Sequence, residues 1–425
     1  MKKISVYLAV LTFLILAAIS FHITEPGGVA GGDEAEYLAV AYSIVNDRDI
    51  DLKNQADIFE LHPKHQKETY LKKFQTQEEH TFFPSTYIVN AIPQKNKLLP
   101  YHPLGLSLLI TPGMALSGIW GARLTIILCA ALLASILYKL TKSLFLTTIL
   151  IFSPPLLYFS LLVFSEIPAA LLLTYSYLNL TRKTNKKKNK IGTALALSFL
   201  PWLHPKYTLL SIIALIYLYT SKKVKWFHQI LIALTSSTLT LIIFYTTVYK
   251  DPLAWTATGH PGFINPLKGA AGLLFDRTHG LVTNAPLYLL TIIAFIKKAK
   301  YPNQVRSRQQ KKVNNKDWLR SALIIAVFAG NSIYANWHGG ATPAGRLLVP
   351  ILPLFGSYLT GMIKKDSPVK ILAVTLLTSL GAALAVVNLF FLKNLGFSSA
   401  EAINEAYFAL PYGEALQKLF PTLVK

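Results

Sequence analysis

A single cysteine in 425 residues, Cys129, rules out an intramolecular disulfide and a thiolate cluster for zinc. Acidic residues are scarce as well, 20 Asp and Glu against 42 Lys and Arg, and charged residues make up only 15% of the chain. No Walker loop and no dinucleotide-binding glycine pattern is present, so nothing in the sequence points to a soluble nucleotide. What is abundant is apolar sequence. Hydrophobic residues make up 52% and the mean hydropathy is +0.42, more apolar surface than one soluble core requires, and the apolar runs recur from end to end. That is the composition of a polytopic, all-α membrane protein. The formal charge of +22 does not indicate nucleic acid, because the basic residues cluster between apolar stretches as they do in cytoplasmic loops.

Those clusters set the topology. Lys139 and Lys142, Arg182 to Lys190, Lys222 to Lys225, Lys297 to Arg320, and Lys364 to Lys370 are assigned to the cytoplasm. Returning the chain to that side each time predicts about 11 transmembrane helices, at residues 4–23, 120–138, 143–164, 167–181, 191–203, 207–221, 227–248, 281–296, 318–335, 346–363 and 369–392. The N-terminus is then inside and the tail 393–425 outside, with residues 1–392 forming one transmembrane domain. Within it, residues 25–119 make a long first outer loop with interfacial helices. The Met1-Lys2-Lys3 start also fits a cleavable signal peptide, but no clear Ala-x-Ala site follows, so an uncleaved first helix is preferred. The stretch from His102 to Gly118 is read as a helix along or dipping into the outer interface, since a span there would put the Arg182 cluster outside. Residues 191–221, broken at His204-Pro205-Lys206, give halves shorter than the roughly 20 residues of a span and fit either two short tilted spans or a re-entrant hairpin.

With this orientation the polar residues gather on one face. Residues 25–101 hold twelve of the twenty acidic residues, among them Asp33, Glu34 and Glu36. A second outer loop carries Asp276, Arg277 and His279, and a third carries Trp337, His338 and, at its end, Arg346. Glu166, the only acidic residue between 103 and 181, falls at an outer turn between two spans. His62 and His65 share helical spacing and His80 lies in the same loop, but Pro63 disturbs a helix there, so no metal or other cofactor is assigned.

Several short motifs then resemble a family. They are Asp33-Glu34 beyond the first helix, Tyr101-His102-Pro103-Leu104-Gly105 closing the first outer loop, Arg123 heading the second span, and Ser165-Glu166-Ile167-Pro168. Further along come Leu273-Leu274-Phe275-Asp276-Arg277 with Gly280-Leu281, and Trp337-His338-Gly339-Gly340 with Gly345-Arg346 and Pro350. Together they resemble the membrane glycosyltransferases of the GT-C fold, nearest the protein O-mannosyltransferase and aminoarabinose-transferase branch. The resemblance implies a GT-C bundle in a prokaryotic cytoplasmic membrane, its active site facing outside. It also implies inverting transfer of a sugar from a polyprenyl-phosphate carrier. His102-Pro103-Leu104 stands where eukaryotic protein mannosyltransferases have His-Pro-Pro. The acceptor accordingly stays open between glycan, lipid and protein.

Site roles follow from that resemblance. Asp33 is expected as the general base that takes the acceptor hydroxyl's proton, Glu34 as a group that positions the acceptor or orients Asp33, and Glu166 as the second acidic residue. Arg346, then Arg277 and His102, are expected at the donor phosphate, where cations stabilise the leaving group. Tyr37, Trp337 and His338 are expected to bind substrate. Each has a plainer reading: Asp33 as a helix cap, Glu34 as first-turn electrostatics, Glu166 as a carboxylate reaching outer water, Arg346 as an interfacial anchor, and the aromatics as a membrane belt. Glu36 reads as structural. The alternative function is a transporter or flippase for a lipid-linked saccharide, although mid-membrane ionisable groups and internal repeats are not apparent.

Overall fold

The computed structural model describes residues 2–23, 33–53, 91–94, 97–182, 187–254, 262–300, 315–340, 342–363 and 368–395. His62, His65, His80, most of the first outer loop and the tail beyond Leu395 lie outside the described residues. Among those described, the only sheet is an antiparallel hairpin, β1 (Ala91–Gln94) with β2 (Lys97–Pro100), which leads into His102. Everything else is helical or connecting chain.

Among the described residues, three helices are long and apolar enough to cross a membrane: α1 (Lys2–Ile23), α3 (Gly105–Thr141) and α9 (Val224–Tyr249). Apolar side chains such as Leu11 and Leu14 on α1, and Ile232 and Leu239 on α9, are exposed, which suits hydrocarbon and not water. The chain is an integral membrane protein. α6 (Glu166–Thr181), α7 (Lys187–Leu203), α8 (Thr208–Thr220), α12 (Leu287–Lys300), α13 (Asn315–Ser332) and α16 (Pro368–Leu395) fall on further apolar segments.

Prolines make three predicted spans discontinuous. Residues 143–164 form α4 (Leu144–Phe152) and α5 (Leu156–Leu161), interrupted at Ser153-Pro154-Pro155, where two residues in a row lack an N–H to continue the ladder. Residues 281–296 divide into α11 (Leu281–Asn284) and α12, with Pro286 at the join. Residues 346–363 form a 3₁₀ segment, Arg346–Ile351, followed by α14 (Leu352–Gly356), another 3₁₀ turn and α15 (Thr360–Ile363). Pro350 and Pro353 break the hydrogen bonding there.

α3 bends sharply at Ser117 and Gly118, and Gly118 adopts φ 59°, a left-handed conformation that glycine enters without penalty. The two arms meet so closely that a Cβ on Gly113 would lie 2.2 Å from the carbonyl oxygen of Gly121. The helix before this bend occupies the stretch expected at the outer interface.

What places the site is the packing around α3 and α6. α3 packs against α1, α2 (Glu34–Asn46) and α6, while α6 also meets α7 and the Arg346–Ile351 segment. The start of α2, the start of α6, the turn between α7 and α8, and the turn before Arg346 are thereby brought together.

Candidate active site

Asp33 occupies the cap position of α2, yet its side chain makes no capping hydrogen bond. The carboxylate turns instead to Arg346, whose Nη2 donates to Oδ2, and to His102, whose Nε2 lies 3.4 Å from the same oxygen. Burial alone would raise the Asp33 carboxyl, but Arg346 and His102 outweigh it and hold the group well below the usual carboxylate range.

Arg346 is the hub. Its Nε donates to Glu166 Oε1 at 3.0 Å and its Nη1 to the Gly339 carbonyl at 3.0 Å, while the guanidinium carbon sits 4.7 Å above the Phe164 ring. The turn before it requires glycine: Gly339 has φ 85° and Gly345 φ 74°, and the first of these directs its carbonyl at the guanidinium. Glu166 is fully buried and so does not reach outer water. Lys206 Nζ lies 3.6 Å from the same Oε1, so one carboxylate oxygen faces two cations. Burial would raise the Glu166 carboxyl, and Arg346 with Lys206 lowers it.

Lys206 comes from the His204-Pro205-Lys206 turn, which sequence reading treated only as a break between apolar segments. Burial and then Arg346 lower its ammonium from the ordinary range, against the pull of Glu166. Beside it, the half-buried His204 is pushed well below the usual imidazole range by desolvation and by the charges of Lys206 and His102. A neutral ring agrees with the geometry, because the Lys206 backbone N–H donates to His204 Nδ1 at 3.2 Å.

His102 is gripped from behind by Glu36. One carboxylate oxygen accepts from the His102 backbone N–H at 2.5 Å and the other lies 2.7 Å from Nδ1. Burial opposes protonation of the ring, but Glu36 and Asp33 reverse this and push its pKa up to about 10. Tyr37 packs its ring 5.3 Å from that of His102 and is buried. Glu34 faces the opposite way. Its Oε1 accepts from Arg123 Nη2 at 2.8 Å and from the Val163 backbone N–H at 3.1 Å, and neither Glu34 nor Arg123 has any exposure. That pair ties the start of α2 to α3 and to the chain ahead of α6.

These groups open on a cavity of about 630 Å³. Asp33, His102, Lys206 and Arg346 form its polar end, and Leu209 and Leu210 of α8, with Ala326 and Val327 of α13, form an apolar wall. Tyr101, Phe263 and Tyr334 add aromatic rings, of which Phe263 is highly exposed and marks the mouth. Among the described residues, no group of three or more His, Cys, Asp or Glu is arranged to hold a metal ion.

Other residues singled out in the sequence lie outside the cavity lining. Trp337 is buried as a wedge against α10 (Pro266–Phe275), where a Cβ on Gly272 would meet the indole at 2.5 Å. His338 Nδ1 accepts from the Gly340 N–H at 3.1 Å and its ring is 5.3 Å from that of His279. Arg277 is half-buried in the turn after α10. Asp276 Oδ1 accepts from the N–H groups of Thr278 and His279 at 2.8 Å each, and the His279 carbonyl accepts from the Gly345 N–H at 3.0 Å. This turn therefore braces the loop that presents Arg346.

No protein-family model matches the sequence, and no curated protein matches it. Among solved structures the chain is similar to ArnT from Cupriavidus metallidurans in the apo state, with a TM-score of 0.56 and 13% identity over 96% of this chain and 69% of that one. It is similar also to ArnT from the same organism bound to undecaprenyl phosphate, with a TM-score of 0.56 and 12% identity over 97% of this chain and 76% of that one. At such identity the likeness speaks to architecture, and the architecture of this chain is the GT-C fold.

Proposed function

We propose that the protein is a glycosyltransferase that moves a sugar from a polyprenyl-phosphate carrier to an acceptor. The observation that carries this reading is the amphiphilic cavity, lined by Asp33, His102, Lys206 and Arg346 and by apolar residues of α8 and α13. A lipid-linked sugar phosphate is itself divided in that way. Its isoprenoid suits the apolar wall, and its phosphate suits Arg346 and Lys206. The shared fold of ArnT, a protein solved with undecaprenyl phosphate bound, supports the same class of donor.

The chemistry follows from the charges. An acceptor hydroxyl oxygen attacks the anomeric carbon, the bond from that carbon to the phosphate oxygen breaks, and the hydroxyl proton passes to Asp33. The products are the glycoside, inverted at the anomeric carbon, and the polyprenyl phosphate. The leaving phosphate gains negative charge as the bond breaks, and cations held in a partly desolvated cavity stabilise that charge. In the unliganded protein Asp33 is a weak base because Arg346 sits on it. A donor phosphate competes for the same guanidinium, and Asp33 recovers basicity as that partner is drawn away.

Glu166 acts by holding Arg346 and Lys206 in register. Arg277, His338, Trp337 and Tyr37 support the site walls and do not contact substrate in this reading. We place the cavity on the outer membrane face, with about eleven spans, the N-terminus inside and the tail 393–425 outside, on the distribution of basic loops. The acceptor is a glycan, a lipid or a protein. The test is to give purified protein in detergent a set of polyprenyl-phosphate sugars and follow the lipid by mass spectrometry. Release of polyprenyl phosphate supports the transferase, whereas binding without release favours a transporter or flippase.

A further inference from the structure

We infer that Glu36 is a positioning residue: it holds the His102 ring as a cation facing Asp33, so that Asp33 keeps a positive partner when Arg346 turns to the donor phosphate. This rests on the reading of the cavity given above.

The geometry has three parts. Glu36 accepts from both the backbone N–H and the ring Nδ1 of His102, at 2.5 Å and 2.7 Å, which fixes the position and the rotation of the ring together. Nε2 then points toward Asp33 Oδ2, 3.4 Å away. A ring with a carboxylate at each nitrogen satisfies both only when both nitrogens carry protons. Glu36 is almost fully buried and is not part of the cavity lining. It acts through His102 and not on substrate.

The surroundings of His102 decide whether a cation is stable there. Asp33 and Glu36 face it from α2 and its cap, Tyr37 packs beside it, and Tyr101 precedes it. Lys206 from the turn between α7 and α8, and Arg346, line the same cavity and oppose a further positive charge, while the neutral His204 beside them adds none. The two carboxylates outweigh them, in keeping with a ring pKa pushed up to about 10. Of the two, Asp33 also serves Arg346, whereas the described hydrogen bonds of Glu36 are to His102 alone. Removing the charge of Glu36 is therefore expected to return His102 toward ordinary imidazole behaviour.

The test uses full-length protein and Glu36→Gln, which keeps the shape and the bond from the backbone N–H. Diethylpyrocarbonate acylates neutral imidazole only, and reaction at His102 is followed by mass spectrometry of the peptide that contains it. At pH 7.5 the wild type is expected to resist and Glu36→Gln to react faster, by about tenfold for each pKa unit lost. Glu36→Asp, which keeps the charge, is expected to restore much of the protection. In transfer assays the alkaline limb of the pH profile is expected to move down by at least about one unit in Glu36→Gln, a shift that a merely structural role does not produce. Equal acylation of the wild type and Glu36→Gln, or a loss of rate that is uniform across pH, overturns the proposal. Should Glu36→Gln fail to fold, the wild type alone decides, because a His102 that becomes reactive around pH 6.5 has no such cation. The acylation result stands whether or not the protein transfers sugar, so it separates failure of this inference from failure of the transferase reading.

Discussion

Arg346 and Glu166 form a buried ion pair, Nε to Oε1 at 3.0 Å, that joins the start of α6 to a turn 180 residues later in the chain. The same guanidinium faces Asp33, so a single side chain pairs with two carboxylates from separate elements. Arg346→Lys keeps the charge but loses the planar fork, and an ammonium cannot replace all three of its contacts. Binding of polyprenyl phosphate, followed by native mass spectrometry, is expected to weaken by at least about tenfold in Arg346→Lys and further in Arg346→Ala. Unchanged binding in Arg346→Ala would make the residue a structural anchor.

Lys206 is expected to share the donor phosphate. Lys206→Gln removes a charge-assisted contact of about 1.5–3 kcal/mol, so binding of polyprenyl phosphate should fall by about ten- to a hundredfold while binding of the uncharged polyprenol stays the same. Equal losses for both lipids would assign Lys206 to packing.

Glu34 and Arg123 are completely buried against each other. Removing either charge breaks a fully buried ion pair, and such a change costs about 3–5 kcal/mol. Glu34→Gln and Arg123→Met should each lower the thermal midpoint in detergent markedly, and the double variant by less than the sum of the two. Additive losses would show that the two residues do not act as a pair.

Protonation of His102 also leaves a mark on stability. Its folded pKa is pushed up to about 10 from an ordinary 6.5, so its contribution is fully present below the unfolded value and lost as pH rises through the folded one. Asp33 has the opposite sign. Its lowered carboxyl contributes above its ordinary value of 3.8, and that contribution is lost only as pH falls through the depressed folded value. Thermal midpoints measured from pH 6 to 10.5 should fall toward the alkaline end in wild type, and His102→Ala should flatten that fall. A fall of equal size in His102→Ala would remove His102 from the account.

The candidate site was legible in the sequence to the extent that it depends on composition. Asp33, Glu166 and Arg346 stand out because charge is rare beside apolar segments, and a residue of that kind needs a partner. Which partner was not legible: Arg346 meets Asp33 across 313 positions and Glu34 meets Arg123 across 89, and no periodicity carries such pairings. Lys206 is not legible from apolar spacing, because the His204-Pro205-Lys206 turn reports only where a span is interrupted. The signal was its location, a lysine in a short turn away from the basic runs that mark the cytoplasm. Glu36 read as structural because the grip on His102 depends on a loop returning to α2. Proline explains the differences in the fold. Apolar sequence located the segments at 143–164 and 346–363, but hydropathy does not register the missing N–H groups of Pro154, Pro155, Pro350 and Pro353.

Topology is open to a test that does not depend on fold. In a Cys129→Ala background, a cysteine at Asp251 should react with a membrane-impermeant thiol reagent applied from outside. One at Lys222 should react only after the membrane is opened, because basic runs resist translocation. Outside labelling at 222 would reverse α8 and α9.

The central claim is that the cavity transfers sugar with Asp33 as its base. The most direct measurement compares wild type with Asp33→Asn under single-turnover conditions, following release of polyprenyl phosphate from a polyprenyl-phosphate sugar together with donor binding. An amide keeps the shape and cannot accept the proton. Wild-type protein is predicted to release the lipid phosphate, and Asp33→Asn to bind the donor while turnover falls by about two to four orders of magnitude. Turnover within a fewfold of wild type in Asp33→Asn, or no release by the wild type with any donor, would contradict the account.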